Sequence, residues 1–352
     1  MRVLHVIAGA KEGGAETMML DGAVALAEAG VESHAVIRAA HEGRIATLEQ
    51  AGVGVTRASF DPLFRFTTDL ALARAIRRFA PDLIHYWMGR AGSFAPARWR
   101  ERNLGWYGGY YKLARFKHCA WHAAVTSDIV RNIIAQGAPS DQVSVLPTYA
   151  NIERAAPVDR ASLDTPADAM VVLSLARLHW KKGIDTLLDA MRELPGIYCW
   201  IAGDGPLEAE LKAQATRLGL DDRVRFLGWR NDRAALLAAC DVVAFPSRYE
   251  PFGNVTPEAW AAGKPLVVAD AQGPAATVTN EEDALLVAKD DVKALAAALK
   301  RVIEDKALAA KLVANGARVY QEKYTRAAFV REALALYDRM LSALPSGAEN
   351  PR

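Results

Sequence analysis

Short apolar runs alternate with amphipathic stretches along almost the whole chain, starting with Val3-Leu4-His5-Val6-Ile7-Ala8 and the helical period that follows over 15–29. Runs this short, apolar at nearly every position and separated by helix-length segments, predict strands of parallel sheets covered on both faces. In the first half the expected strands are 3–8, 33–38, 82–87, 123–126 and 143–146, with a second clear helix at 69–79. The rhythm breaks over 151–169, where Pro157 and Pro166 stand among scattered charges without periodicity, and this marks a domain boundary. It resumes at Met170-Val171-Val172-Leu173-Ser174-Leu175, with further strands expected at 198–202, 224–227, 242–245 and 266–269 and closing helices at 292–304, 307–320 and 326–341. The expected class is α/β: a first domain over 1–155, a linker over 156–169, a second domain over 170–325, and a last helix with a frayed tail over 326–352.

Composition narrows this picture. The chain of 352 residues exceeds what one core usually supports, which agrees with two domains. An apolar fraction of 51% with 24% charged residues is that of a globular protein, and a formal net charge of +2 gives no global case for nucleic acid. Cys119, Cys199 and Cys240 lie in separate elements without pairing or metal spacing, as small buried residues in a reducing compartment would. The first residues read as a core strand, not a secretory signal, and no run approaches the ~18 apolar residues of a spanning helix. A cytoplasmic protein with at most a peripheral membrane contact is expected.

The strongest candidate chemistry lies between Pro246 and Glu258. Asp241-Val242-Val243-Ala244-Phe245 predicts a buried strand, Thr256 is placed to cap a helix beginning at Pro257, and Gly263 with Pro265 ends that helix. Glu258 then falls in the first helical turn, where a carboxylate also answers the helix dipole. Glu250, which precedes Pro251 in the loop, has no such ordinary explanation.

Two other loops could meet an anion. Gly13-Gly14-Ala15-Glu16 follows the first strand and opens a helix, which offers backbone N–H groups to a phosphate, although a tight turn needs the same glycines. It is not a dinucleotide fingerprint, because the second strand ends at Arg38, where an acidic residue would hold a ribose. Arg177 and Lys182 share the loop after the first strand of the second domain, where they suit a diphosphate, while surface cations are commonly just solvated. No Asp-x-Asp pair occurs and the His and Cys residues lack ligand spacing, so no metal is expected and Arg177 and Lys182 would supply the positive charge.

Between 98 and 118 six basic residues, Arg98, Arg100, Arg102, Lys112, Arg115 and Lys117, stand against one acid, Glu101. Trp99, Trp106, Tyr107, Tyr110, Tyr111 and Phe116 are interleaved, and His118 and His122 lie nearby. Such a mixture suits an anionic membrane surface or a phosphorylated lipid. It also suits single-stranded nucleic acid, against which the near-neutral total charge argues. The plain alternative is a solvated arginine face with the aromatics turned to the core.

The Glu250 to Glu258 spacing resembles the paired-glutamate motif of retaining GT-B glycosyltransferases, glycosyltransferase family 4. The resemblance is tight over 177–258 and loose before 120. It implies two Rossmann-like domains facing across a cleft, with the last helix crossing back onto the first. It further implies that Gly13 and Gly14 approach the donor phosphates, that Arg177 and Lys182 clamp the diphosphate, and that Gly203 lies in a turn near the donor. Gly228 and Trp229 would meet the nucleobase and Glu258 the ribose hydroxyls, while Glu250 with Phe252, Gly253 and Asn254 would hold the sugar. Many members carry a His-Gly pair at the end of a first-domain strand, where this chain has Gly108-Gly109.

The run Leu104-Gly105-Trp106-Tyr107-Gly108-Gly109-Tyr110-Tyr111 resembles members that act on bacterial surface polysaccharide or lipopolysaccharide core. The expected protein is a metal-independent retaining hexosyltransferase that needs no cofactor beyond a UDP- or GDP-linked sugar donor. Its acceptor would be a glycolipid, lipid-linked saccharide or polysaccharide, met by Arg98, Arg100, Arg102, Trp106, Tyr110, Lys112, Arg115 and His118 at the inner membrane leaflet, with no nucleic-acid partner. A nucleotide-sugar epimerase of the same fold and a non-catalytic sugar-nucleotide or membrane-binding protein are the rival readings.

Overall fold

Strand β1 (Arg2–Ile7) is apolar at almost every position because both of its faces are covered: Val3, Leu4, Val6 and Ile7 are all buried. The computed structural model describes residues 1–9, 14–61 and 63–345. The chain divides into two units, Met1–Tyr149 with Arg326–Arg352, and Ala150–Thr325.

In the first unit β1 is followed by α1 (Gly14–Glu28), β2 (Glu32–Arg38), α2 (Glu42–Gln50), β3 (Gly54–Ala58), α3 (Arg65–Phe79) and β4 (Leu83–Trp87). Then come α4 (Met88–Gly92), β5 (Asn103–Tyr107), β6 (Trp121–Ala124), α5 (Ser127–Ala135) and β7 (Val143–Val145). The strands form one parallel sheet in the order β3-β2-β1-β4-β5-β6-β7.

The second unit runs β8 (Val171–Leu175), α6 (Ile184–Arg192), β9 (Tyr198–Ala202), α7 (Glu208–Arg217), β10 (Val224–Gly228), α8 (Arg233–Ala239) and β11 (Val242–Phe245). It continues with α9 (Val255–Ala261), β12 (Leu266–Ala269), α10 (Gln272–Thr277), β13 (Leu285–Val287), α11 (Val292–Glu304) and α12 (Lys306–Lys323). Its parallel sheet has the order β10-β9-β8-β11-β12-β13. Alternate strand residues feed two cores: Val172, Ile201 and Ala244 pack with Leu187, Leu211 and Leu299, whereas Leu173, Trp200 and Phe245 pack with Leu236 and Ala259. The side chains of Asp291 and Asp305 cap α11 and α12.

The last helix, α13 (Arg326–Ser342), belongs to the first unit and buries Phe329, Ala333, Leu336, Tyr337 and Met340. The Tyr337 hydroxyl lies 2.7 Å from His85 Nδ1, His85 stacks on Trp87 at 4.0 Å, and Trp87 donates to His5 Nδ1 at 3.2 Å. Burial depresses His5 to about 3 and His85 well below its usual range, so both are neutral core residues.

Several sequence expectations need correction. Strands β3, β5 and β13 and helix α2 were not anticipated. The strand expected at 123–126 ends at Ala124, because Thr126 accepts from Ile129 N and caps α5 instead. Thr256 is not the cap: α9 already begins at Val255, and the buried Thr256 hydroxyl has no hydrogen-bond partner among the described residues. The stretch read as a linker is tied to the second unit, where Arg160 bonds Ala239 O and Asp241 and Trp200 donates to Thr165.

Candidate active site

In the second unit the strand order reverses direction between β8 and β11, so their connections leave to opposite faces and open a crevice at the strands' carboxyl ends. Open α/β sheets bind ligands at such a switch point. The loop after β8 carries Arg177 and Lys182, and the loop after β11 carries Glu250, Phe252, Gly253 and Asn254. The topology therefore brings together residues nearly seventy positions apart.

Close backbone contact fixes these two loops to one another. Arg248 N and Tyr249 N both bond Lys181 O, at 2.8 and 3.2 Å. Gly183 adopts φ +64, and a Cβ there would lie 2.1 Å from Pro246 O, so only glycine allows this approach. The Arg248 side chain reinforces the joint. It makes a bidentate pair with Asp185 at 2.8 and 2.6 Å, and also bonds Trp180 O, Thr186 and Asp290. On this frame Lys182 Nζ forms an ion pair with Glu250 Oε2, both side chains being largely buried. Arg177 is exposed and makes no ion pair among the described residues.

A third loop braces the first. A Cβ on Gly203 (φ +146) would meet Ala176 O at 2.0 Å, and Leu178 N donates to Asp204 O at 2.7 Å. Gly203 N in turn donates to Gly228 O at 2.8 Å, which joins the ends of β9 and β10. Trp229, beyond β10, is exposed and donates to Asn231 Oδ1 at 3.0 Å. The Glu250 segment is held from behind by Gly273 N, which donates to Glu250 O at 2.7 Å, and Phe252 is buried against Tyr324. Asn254 stands at the start of α9 without a side-chain cap bond.

Glu258, on α9, is only 4% exposed and pairs with Arg233 Nη1 at 2.7 Å. Burial raises its carboxyl above the usual range, with Arg233 opposing. Sequence reasoning missed Arg233, Arg248, Gly183 and Gly273. All four act through contacts between segments distant in sequence, which leave no periodic signal, although Gly183 directly after Lys182 is a visible hint.

In the first unit the corresponding reversal lies between β1 and β4. Gly14 opens α1 there, and Gly13 lies outside the described residues. Gly108-Gly109 follows β5.

The basic and aromatic stretch is corrected in part. Trp106 is not a surface residue: it is fully buried in β5 and donates to Leu146 O at 3.0 Å. Trp99, Tyr107 and Phe116 are core residues as well. Arg102 is buried and donates to Asp82 O at 3.0 Å. Tyr110 donates to Asp128. Arg98, Arg100, Lys112 and Arg115 are exposed. His118 is half-buried and lowered by burial and by Lys117 and Arg100. His122 lies in the core, 3.1 Å from the Tyr107 hydroxyl, depressed to about 4 by burial.

The pattern described as Glycosyl transferases group 1 matches residues 156–319, and that of Glycosyltransferase Family 4 matches 12–154. The lipopolysaccharide core biosynthesis glycosyltransferase LpsD of Rhizobium meliloti is 36% identical over 342 residues, covering 96% of this chain and 98% of that protein. The chain belongs to glycosyltransferase family 4. A second relative of this glycosyltransferase, LpsE of Rhizobium meliloti, is 34% identical over 96% of this chain and 98% of its own. Among solved structures, Anabaena HepE in complex with UDP-glucose is 26% identical, with a TM-score of 0.78 over 98% of this chain and all of that one. This chain's two Rossmann-like units with parallel sheets are the fold it shares with HepE.

Proposed function

We propose that this glycosyltransferase moves a sugar from a nucleotide-diphosphate sugar to a hydroxyl of a lipopolysaccharide-core or other lipid-linked saccharide, with retention of configuration and without a metal ion. The observation that carries this reading is the meeting of Lys182 and Glu250 at the switch point, one cation and one carboxylate on two loops bonded to each other. The names of the LpsD and LpsE relatives support the acceptor class, and the UDP-glucose held by HepE supports the donor class.

Charge builds on the diphosphate as its bond to the sugar C1 lengthens. Lys182, held against Glu250, would meet that charge as a preorganised cation in a partly dry site, and the exposed Arg177 would swing in from the same loop. A diphosphate there would share the three N–H donors of Lys182 with Glu250, placing the carboxylate beside the sugar. Glu258 would hold the ribose through the oxygen not bonded to Arg233, and Trp229 with Gly228 would face the base. In the front-face route, the acceptor oxygen bonds C1 on the face the diphosphate leaves, and the acceptor proton passes to a phosphate oxygen. The products are the retained glycoside and a nucleoside diphosphate. Peripheral attachment at the inner leaflet would bring the acceptor within reach.

Thermal stabilisation by UDP-, GDP- and ADP-sugars selects the donor, since a ligand that binds only the folded state raises Tm. Transfer to a deacylated core oligosaccharide is then followed by release of nucleoside diphosphate and by the anomeric NMR signal of the product. A retained linkage formed in EDTA is expected. An inverted product or activity that returns only with added magnesium would overturn the mechanism, and an epimer formed from donor alone would favour the epimerase.

A further inference from the structure

Helix α3 of the first unit turns part of its apolar surface outward. Of the nine large apolar side chains exposed among the described residues, four cluster at its start: Leu63 at 86%, Phe64 at 56%, Phe66 at 68% and Leu70 at 48%. The other five are scattered singly, as on any soluble surface. The core needs none of the four, because Thr68, Leu72, Ala75 and Ile76 already form the buried stripe of α3. Phe66 and Leu70 stand one turn apart on an outer stripe that continues into exposed Arg74 and Arg77.

A cavity of about 630 Å³ opens beside this patch and shares α3 as its wall. Its charged lining is Arg65, Arg98, Arg115 and Lys117 with His118, against the single acid Asp69. Arg65 fixes the junction between patch and cavity: its guanidinium donates to Ser93 O at 2.5 Å, lies 4.4 Å from the Phe94 ring centre and pairs with Asp69 at 3.5 Å. Asp69 is thereby neutralised, and the rest of the lining is left cationic. The aromatics interleaved with Arg98 and Arg115 in sequence are mostly core residues, so the exposed apolar surface nearest along the cavity's wall is the start of α3, which adjoins the cavity through Arg65 and Asp69.

We propose that the outer face of α3, with the adjoining cationic cavity, is where this enzyme docks on a bilayer containing anionic phospholipid. Phe64, Phe66, Leu63 and Leu70 would enter the interfacial layer, and Arg98, Arg115 and Lys117 would meet lipid phosphates. Apolar and aromatic side chains ringed by arginine are the composition such an interface takes. The surplus of cations sets the sign of the lipid, which an uncharged protein groove would leave open. The inference deepens the lipid-linked acceptor reading and rests on it for its purpose.

The test uses the full chain with sedimented vesicles of phosphatidylcholine, with and without phosphatidylglycerol. Binding to the anionic vesicles is expected to be stronger by ~10-fold or more and to weaken as salt is raised. The doubly substituted Phe64→Ser, Phe66→Ser chain should lose about tenfold or more of that binding while keeping its Tm, since both rings are exposed. Equal binding to both vesicles, no binding, or a variant that binds as the parent does would overturn the proposal. So would concentration-dependent dimerisation that the double variant abolishes, which would assign the patch to a second copy. The nucleotide-sugar Tm shift is read on the same samples. A shift without vesicle binding sinks the docking surface and leaves the donor reading standing, whereas vesicle binding without a shift for any nucleotide sugar does the reverse.

Discussion

Gly183 and Pro246 touch backbone to backbone: a Cβ on residue 183 would lie 2.1 Å from the Pro246 carbonyl oxygen. The loop of Lys182 and the loop of Glu250 keep their register through this contact. Gly183→Ala must push the loops apart and also adopt φ +64 with a side chain. A loss of about 2 kcal/mol or more in unfolding free energy is expected, with a larger proportional loss of turnover. Chemical denaturation and steady-state transfer rates check both; a variant with parental kcat would show that the joint does not position the site.

Lys182→Ala should lower kcat by ~10²–10³ with little change in Tm, because the cation serves charge that grows on the leaving group. Glu250→Gln should also lower turnover, and the Lys182→Ala, Glu250→Gln pair should lose less than the product of the single effects, since the two residues form one ion pair. Purely multiplicative losses would separate their roles.

Arg233→Ala removes the one cation that pairs with the buried Glu258 carboxylate among the described residues. A loss of about 1–3 kcal/mol is expected, toward the lower end of buried-pair values because Arg233 itself is half exposed. Nucleotide affinity measured by calorimetry should fall as well if Glu258 holds the ribose.

Glu258 also predicts a pH dependence. Burial raises its carboxyl in the folded chain, so between its ordinary value near 4.5 and the raised one the folded state binds more protons than the unfolded state. Its contribution to stability is therefore fullest at low pH and diminishes as pH rises through that window. Glu258→Gln stays neutral, so its stability relative to the parent should climb across the same interval. A flat difference in Tm between pH 4 and 7 would contradict the assignment.

Trp106→Ala should fail by unfolding, not by loss of acceptor contacts. The ring is fully buried and its N–H is satisfied by Leu146 O, so about 3–5 kcal/mol should be lost. Arg98→Ala, at an exposed position, should stay within about 0.5 kcal/mol of the parent in stability. Thermal unfolding of the two proteins separates core from surface in this stretch.

The sequence announced its architecture where strands are buried on both faces. Runs such as Val3 to Ile7 and Val171 to Leu175 admit little but a parallel sheet. Strand β5 escaped because Gly105, Trp106 and Tyr107 read as an amphipathic surface when their basic neighbours were weighed with them. Glycine there has a packing cause: a Cβ on Gly105 would lie 2.4 Å from the Phe116 ring. At the site, charged residues at strand ends were legible one by one, as with Arg177, Lys182, Glu250 and Glu258. Their partners were not, because the pairing of Arg233 on α8 with Glu258 on α9, and of Arg248 in a loop with Asp185 on α6, depends on how these segments pack over the sheet.

The bond between His85 and Tyr337 spans 252 positions of sequence, and α13 supplies part of the core around β4. This sets an order on biogenesis. As the chain leaves the ribosome, the whole segment 150–325 emerges before the helix that completes the earlier sheet. The unit whose synthesis starts first is thus the last able to finish folding, and until then His85 lacks its Tyr337 partner. A chain truncated before Arg326 would carry an intact second unit beside an unfinished first one.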